Sequence, residues 1–194
     1  MPLPNPVERK KLHDRNIHCE GFKRADGLYD IEARLVDIRT FDCSYDEEHR
    51  GGLIKAGEPV HDIYLRVTLD LRFEIQDVYA ASDATPFNVC PKATSAMKAL
   101  VGLRIGSGWV REAKQRIGTD ISCTHLMDLL RPIATTAYQT MYAEIEEKAR
   151  KKPNRGKPAI IGTCLAMAAD GDVVMKRWPQ FYEKNDETQS EPTD

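Results

Sequence analysis

Alternation is the strongest signal in this chain. In HDIYLRVTLDLRF, the residues His61, Ile63, Leu65, Val67 and Leu69 fall on one side, and Asp62, Tyr64, Arg66, Thr68 and Asp70 on the other. A period of two with one apolar side predicts a half-buried β-strand. The segment LYDIEARLVDIRTF, residues 28–41, carries Tyr29, Ile31, Ala33 and Leu35 at the same spacing and predicts a long strand before it. A third strand is expected over Ile75–Ala81, close enough to the second to pair antiparallel with it. Arg24-Ala25-Asp26-Gly27 reads as a turn, and the charged, glycine-containing residues 42–59 as a long loop.

The period then changes. Residues 91–103, PKATSAMKALVGL, place Pro91 at a first helical position and Ala93, Met97, Leu100 and Val101 at helical spacing. Gly106-Ser107-Gly108 breaks that helix, and WVREAKQRI predicts a short second one ended by Gly118. A long helix is expected from Leu126 to about Arg150, with Ile133, Ala137, Met141 and Ile145 as its apolar stripe and Pro132 kinking it or marking where its main part starts. After the basic loop 151–157, Ala169-Asp170-Gly171-Asp172 invites a hairpin between two short strands. Strands first and helices later predict an α+β fold, an antiparallel sheet meander covered on one face by helices. Residues 1–182 are expected to form a single domain and residues 183–194 a disordered acidic tail.

Composition narrows the function classes. At 194 residues, 41% apolar and 30% charged, with a formal net charge of −2, the chain has no global electrostatic footprint for nucleic acid. No apolar run approaches the length of a membrane span, and MPLPNPVERKKLHDR lacks the hydrophobic stretch of a signal peptide. The five cysteines are odd in number and scattered, which favours reduced thiols and a cytoplasmic protein. The expected partner is a small-molecule substrate, not nucleic acid or membrane, and a homo-oligomer is compatible with the sequence.

Three clusters of metal-ligand type stand where regular structure begins: His61-Asp62, Cys90, and Cys123-Thr124-His125. Thiolate and neutral imidazole suit zinc or iron. Cys90, Cys123 and His125 are therefore candidate ligands, with His61 or Asp62 as the fourth. Strand alternation puts His61 and Asp62 on opposite faces, and His61 shares the face that the helices should cover, so His61 is the preferred ligand. Asp62 or Asp83 would then act as general base, and Arg66 or Arg131 would hold a substrate carboxylate. Tyr64 and Trp109 could wall an aromatic pocket or simply pack the core. Against all of this stands a bland alternative, in which the clusters are buried polar residues pinning helices to the sheet.

Several stretches carry a family resemblance: HDR at 13–15, RADGLYDIEARLVD at 24–37, AGEPVHDIYLRVTLD at 56–70, LVGLRIGSGW at 100–109 and CTHLMDLLRPIATTAYQT at 123–140. They resemble an uncharacterised bacterial family described only as a domain of unknown function, and the resemblance implies a link to catabolism, aromatic compounds included. The order His61-Asp62, Cys90, Cys123-Thr124-His125 is also similar to the motif order of iron–sulfur scaffold proteins of the NifU, IscU and SufE type. There His61 stands in place of the first cysteine, and Cys-x-His inverts the His-Cys order, which moves the site towards a mononuclear metal. The expectation is a metal- or thiol-dependent catabolic enzyme, a lyase or hydrolase, acting on a small organic substrate. The alternative is a sulfur or iron–sulfur carrier that docks partner proteins.

Overall fold

A computed structural model describes residues 3–151 and 156–184. The chain divides into two compact units, Met1–Ile145 and Glu146–Asp194. The first is built on a four-stranded antiparallel sheet whose strands, in spatial order, are β1 (His13–Lys23), β2 (Tyr29–Arg39), β5 (Pro59–Leu69) and β6 (Ile75–Ala84). Between β2 and β5, the expected loop holds a two-residue pair, β3 (Cys43–Ser44) and β4 (Leu53–Ile54), which with Val60 closes a small core of its own.

The alternation is realised as the period of two requires. Tyr29, Ile31, Ala33 and Leu35 of β2 and Ile63, Leu65, Val67 and Leu69 of β5 are all buried on one face. The helices α1 (Ala93–Ala96), α2 (Trp109–Ile117), α3 (Thr124–Asp128) and α4 (Leu130–Arg150) follow in the chain. Trp109, Ala113 and Ile117 of α2 and Leu130, Ile133, Ala137 and Met141 of α4 join those strand residues in a single core. The fold is α+β.

Several elements differ from expectation for identifiable reasons. β1 carries little apolar alternation because it is an edge strand with only Asp14 and Cys19 part-buried; it is held by full-length backbone pairing with β2, from His13↔Arg39 to Lys23↔Tyr29. The helix expected over 91–103 is broken into a 3₁₀ turn, the four-residue α1 and a second 3₁₀ turn ending at Leu100. Gly102, at φ 81°, lets the chain leave the helix and lie along β6, where Gly102 N–H donates to Ile75 O and Ile75 N–H donates to Leu103 O. The long helix is interrupted at Leu129. Pro132 explains the break, since its ring would strike the carbonyl four residues earlier and it has no N–H to bond there.

In the second unit, the expected hairpin is replaced by the helix α5 (Asp172–Arg177). Gly171 stands at its N-cap, Asp172 in its first turn and Lys176 and Arg177 in its last, an order that matches the helix dipole. Val174 and Trp178, one turn apart, bury themselves with Ile161. No strand occurs among the described residues 156–184. The tail expected to be disordered lies outside the described residues except for Glu183 and Lys184. No described helix is long and apolar enough to cross a membrane.

α4 lies close over β1. A Cβ at Gly21 would sit 1.8 Å from Thr140 Oγ1 and 2.8 Å from Thr140 Cβ and Cγ2. Threonine is too short to swing clear, so Gly21→Ala should lower stability by about 1–3 kcal/mol in urea denaturation. Thr140→Ala in the same background should restore part of that loss. Additive effects of the two changes would show that the helix does not pack so close.

Candidate functional site

The period-two series of β2 does not stop at Leu35. Asp37 is the next inward position, and it is 3% exposed. A carboxylate there must find donors or stay protonated. The sheet register supplies them, because Arg15 of β1 pairs with Asp37 and Asp37 pairs with His61 of β5. One rung across three strands therefore reads Arg15, Asp37, His61.

The contacts are close. Arg15 Nε donates to Asp37 Oδ1 at 2.7 Å and its Nη2 to Oδ2 at 2.9 Å, a two-point clamp. His13 Nε2 lies 3.1 Å from Oδ1 and His61 Nδ1 3.0 Å from Oδ2. An ionised carboxylate only accepts, so each of those ring nitrogens carries its proton towards Asp37. Arg15 also reaches Asp128 of α3 through Nη1 at 3.1 Å. The register between β2 and β5 slips just after this rung, between Asp37 and Ile38. Such bulges re-aim side chains beside functional sites.

His125, in the first turn of α3, completes the group. Its ring lies against that of His61 with centroids 3.7 Å apart and 32° between planes, and its Nε2 is 3.7 Å from Asp37 Oδ2. Cys123 precedes α3 in extended conformation and sets its Sγ 3.9 Å from His125 Nδ1. Ligand atoms of Asp37, His61 and His125 all lie within 4.8 Å of one another. Two nitrogens and one carboxylate oxygen form a donor set suited to zinc or ferrous iron.

Electrostatics favour the ligating forms. Burial opposes ionisation of Asp37, but the Arg15 hydrogen bonds and charge outweigh it and hold the carboxyl below its ordinary value. Burial, and then the neighbouring His125, push His61 down from 6.5 to about 4 against the pull of Asp37. Burial and the Arg15 charge also lower His125. Both imidazoles are thus neutral at pH 7, as metal ligands must be.

His61 and His125 stand in the wall of a cleft of about 1330 Å³ that Cys90 and Cys123 also line. Neither thiol belongs to the converging group, although Cys123 touches it through His125. The other residues picked out from sequence lie elsewhere. Asp62 faces the opposite side of the sheet, as alternation demands, and is clamped by Arg34 Nε and Nη2 at 2.8 and 2.7 Å, which lowers its pKa. Asp83 is exposed on that outer face beside Tyr64, and Arg66 there pairs with Glu32 at 2.7 Å. Arg131 is exposed in a hollow beside Gly106 and Lys114, and Trp109 packs the core. Asp62, Asp83, Arg66 and Arg131 are therefore not brought to the cluster. Sequence reading passed over Asp37, Arg15 and His13. The signal for Asp37 was present as an acidic residue in phase with Tyr29, Ile31, Ala33 and Leu35.

Residues 13–139 match the family described as "Protein of unknown function (DUF2889)". The chain belongs to that family. The DUF2889 segment spans the whole rung, α3 and the cleft. No curated protein matches the chain significantly, and no solved structure does. The likeness to iron–sulfur scaffold proteins is accordingly not shown.

The neutral state of His61 has a direct consequence. Its folded pKa lies below the unfolded value, so between about pH 6.5 and about pH 4 the unfolded chain takes up a proton that the folded site refuses. The part of the stability due to His61 is complete above that window and is lost as pH falls through it. In NMR titration of the metal-free protein, the His61 ring should stay unprotonated at pH 5.5. His61→Gln should flatten the loss of stability between pH 6.5 and 5, and a His61 ring that titrates near its ordinary value would refute the buried, neutral assignment.

Proposed function

We propose that this protein is a metal-dependent enzyme, a hydrolase or lyase of small organic molecules, whose ion is held by Asp37, His61 and His125. The observation that carries the reading is the convergence of those three ligand atoms within 4.8 Å, with His61 and His125 in the wall of an open cleft and Asp37 in the smaller hollow beside it. Zinc and iron are the ions that suit the set. Such an ion, with coordination positions left for substrate, polarises a carbonyl or lowers the pKa of bound water.

The protein's own residues have separate tasks in this scheme. Arg15 and His13, which line the smaller hollow with Asp37, fix its carboxylate, as partners of metal ligands commonly do. His61 Nδ1 now donates to Asp37 Oδ2, so holding an ion through that nitrogen would move the ring proton to Nε2, and acid, by protonating the imidazole, would weaken loading. Phe41, Phe87, Val89 and Ile121 offer apolar wall to a substrate.

A second reading is supported by one specific contact. Cys123 Sγ lies 3.9 Å from His125 Nδ1, and His125 Nε2 lies 3.7 Å from Asp37 Oδ2. That order of thiol, imidazole and carboxylate is the arrangement of a thiol nucleophile with its base and orienting acid, at the looser distances of a resting site.

Zinc titration of protein expressed without a histidine tag separates the two. The metal reading expects one tightly held ion per chain, with affinity falling by about 100-fold or more in His61→Ala, His125→Ala and Asp37→Asn and little changed in Cys90→Ala. Absence of zinc and iron binding would sink it. Fast iodoacetamide labelling of Cys123 that His125→Ala slows would then favour the thiol reading.

A further inference from the structure

We infer that the substrate is an organic acid with an apolar body, its carboxylate held by Arg39 beside the candidate metal centre; this rests on the metal-site reading above. The cluster stands between two cavities. One is the cleft of about 1330 Å³, and the other is a hollow of about 520 Å³ bounded by His13, Arg15 and Asp37. The residues common to both are Arg39, Phe41, Val60, His61 and His125. Arg39 is thus the cation at the junction, next to the two imidazoles.

Its guanidinium is available. Arg39 is the last residue of β2, its Nη1 donates to Cys43 Sγ at 3.1 Å, and its guanidinium carbon lies 5.8 Å from the centre of the Phe41 ring. Among the described residues no carboxylate lies within salt-bridge distance of it, whereas Arg15, Arg34 and Arg66 are each committed to one. A thiol is a weak acceptor, so most of the guanidinium's donors remain for a planar anion.

Charge points the same way. With neutral imidazoles, Asp37, Asp128 and Arg15 sum to −1 and Arg39 brings the locality to zero. A divalent ion would leave an excess of +2, which an anionic ligand reduces. The cleft wall also carries Asp42, Asp120 and Lys92, which together lower that excess to +1.

The apolar body has its own surface. Phe41, Phe87, Val89 and Ile121 are 45, 44, 60 and 62% exposed around the cleft. Phe87 is set in place by edge-on contacts with Tyr45 at 5.7 Å and His49 at 5.1 Å. A polar centre beside a cation, rimmed by apolar and aromatic groups, is complementary to an amphipathic carboxylic acid.

The test is ¹⁹F NMR titration of the full chain, with and without zinc, using 4-fluorobenzoate, 4-fluorobenzamide and fluoroacetate as probes. The acid should bind about tenfold or more tightly than the amide, which lacks the charge, and than fluoroacetate, which lacks the body. Arg39→Gln should abolish the preference for acid over amide with zinc stoichiometry unchanged, Arg39→Lys should keep part of it, and Lys92→Gln should keep it all. Equal binding of acid and amide, no binding of the acid, or a preference that survives Arg39→Gln or vanishes in Lys92→Gln would overturn the inference. If Arg39→Gln does not fold, the comparison in the native protein and Arg39→Lys decides. Zinc bound without acid preference defeats this inference alone. Acid preference without zinc binding defeats the metal reading alone.

Discussion

The carboxylate of Asp37 is the constraint around which the centre of the first unit is arranged. A buried charge without partners is not tolerated, and the partners here come from both neighbouring strands. Arg15 and His13 come from β1, His61 from β5, and Asp128, which shares Arg15, from α3. The edge strand, the middle of the sheet and the covering helix are thereby tied through one residue. Replacing Asp37 would leave Arg15 with Asp128 alone and take the carboxylate from His13 and His61, so the residue proposed to hold the ion is also the one that ties the strands together.

Sheet geometry turns that constraint into a site. The residues of β2 and β5 that build the core are in phase with Asp37 and His61, so the two polar residues emerge at the end of an apolar face where the helices begin. The register slip after Asp37 ends regular pairing there and lets the chain open into the loop that carries β3 and β4. Beyond it, the break before Pro132 leaves α3 as a separate short turn of helix, which brings Cys123 and His125 to the same place.

Much of this was legible in the residues and some was not. The β5 alternation showed that His61 would face the helices and Asp62 would not, because side-chain direction in a strand follows from spacing alone. Cys123 and His125 stood out by their position before a helix. Asp37 did not, because a carboxylate in a mixed strand reads as solvent-facing unless its phase is followed past the last apolar residue. β1 was missed because an edge strand is specified by backbone pairing, which leaves little trace in side-chain pattern. α5 was misread because an Asp-Gly pair serves a hairpin turn and a helix start equally well, and only Val174 and Trp178 at helical spacing distinguish them.

The separation of the partners along the chain bears on how the protein reaches its native state. Arg15 and Asp128 are 113 positions apart, and Asp37 lies 24 positions from His61. Contacts over such spans carry a loop-closure cost that local contacts do not. In the unfolded chain the thiols and imidazoles are scattered, and the pocket does not exist. An ion or anion that prefers the finished arrangement would act as a selective brake on unfolding, leaving the early steps of folding untouched.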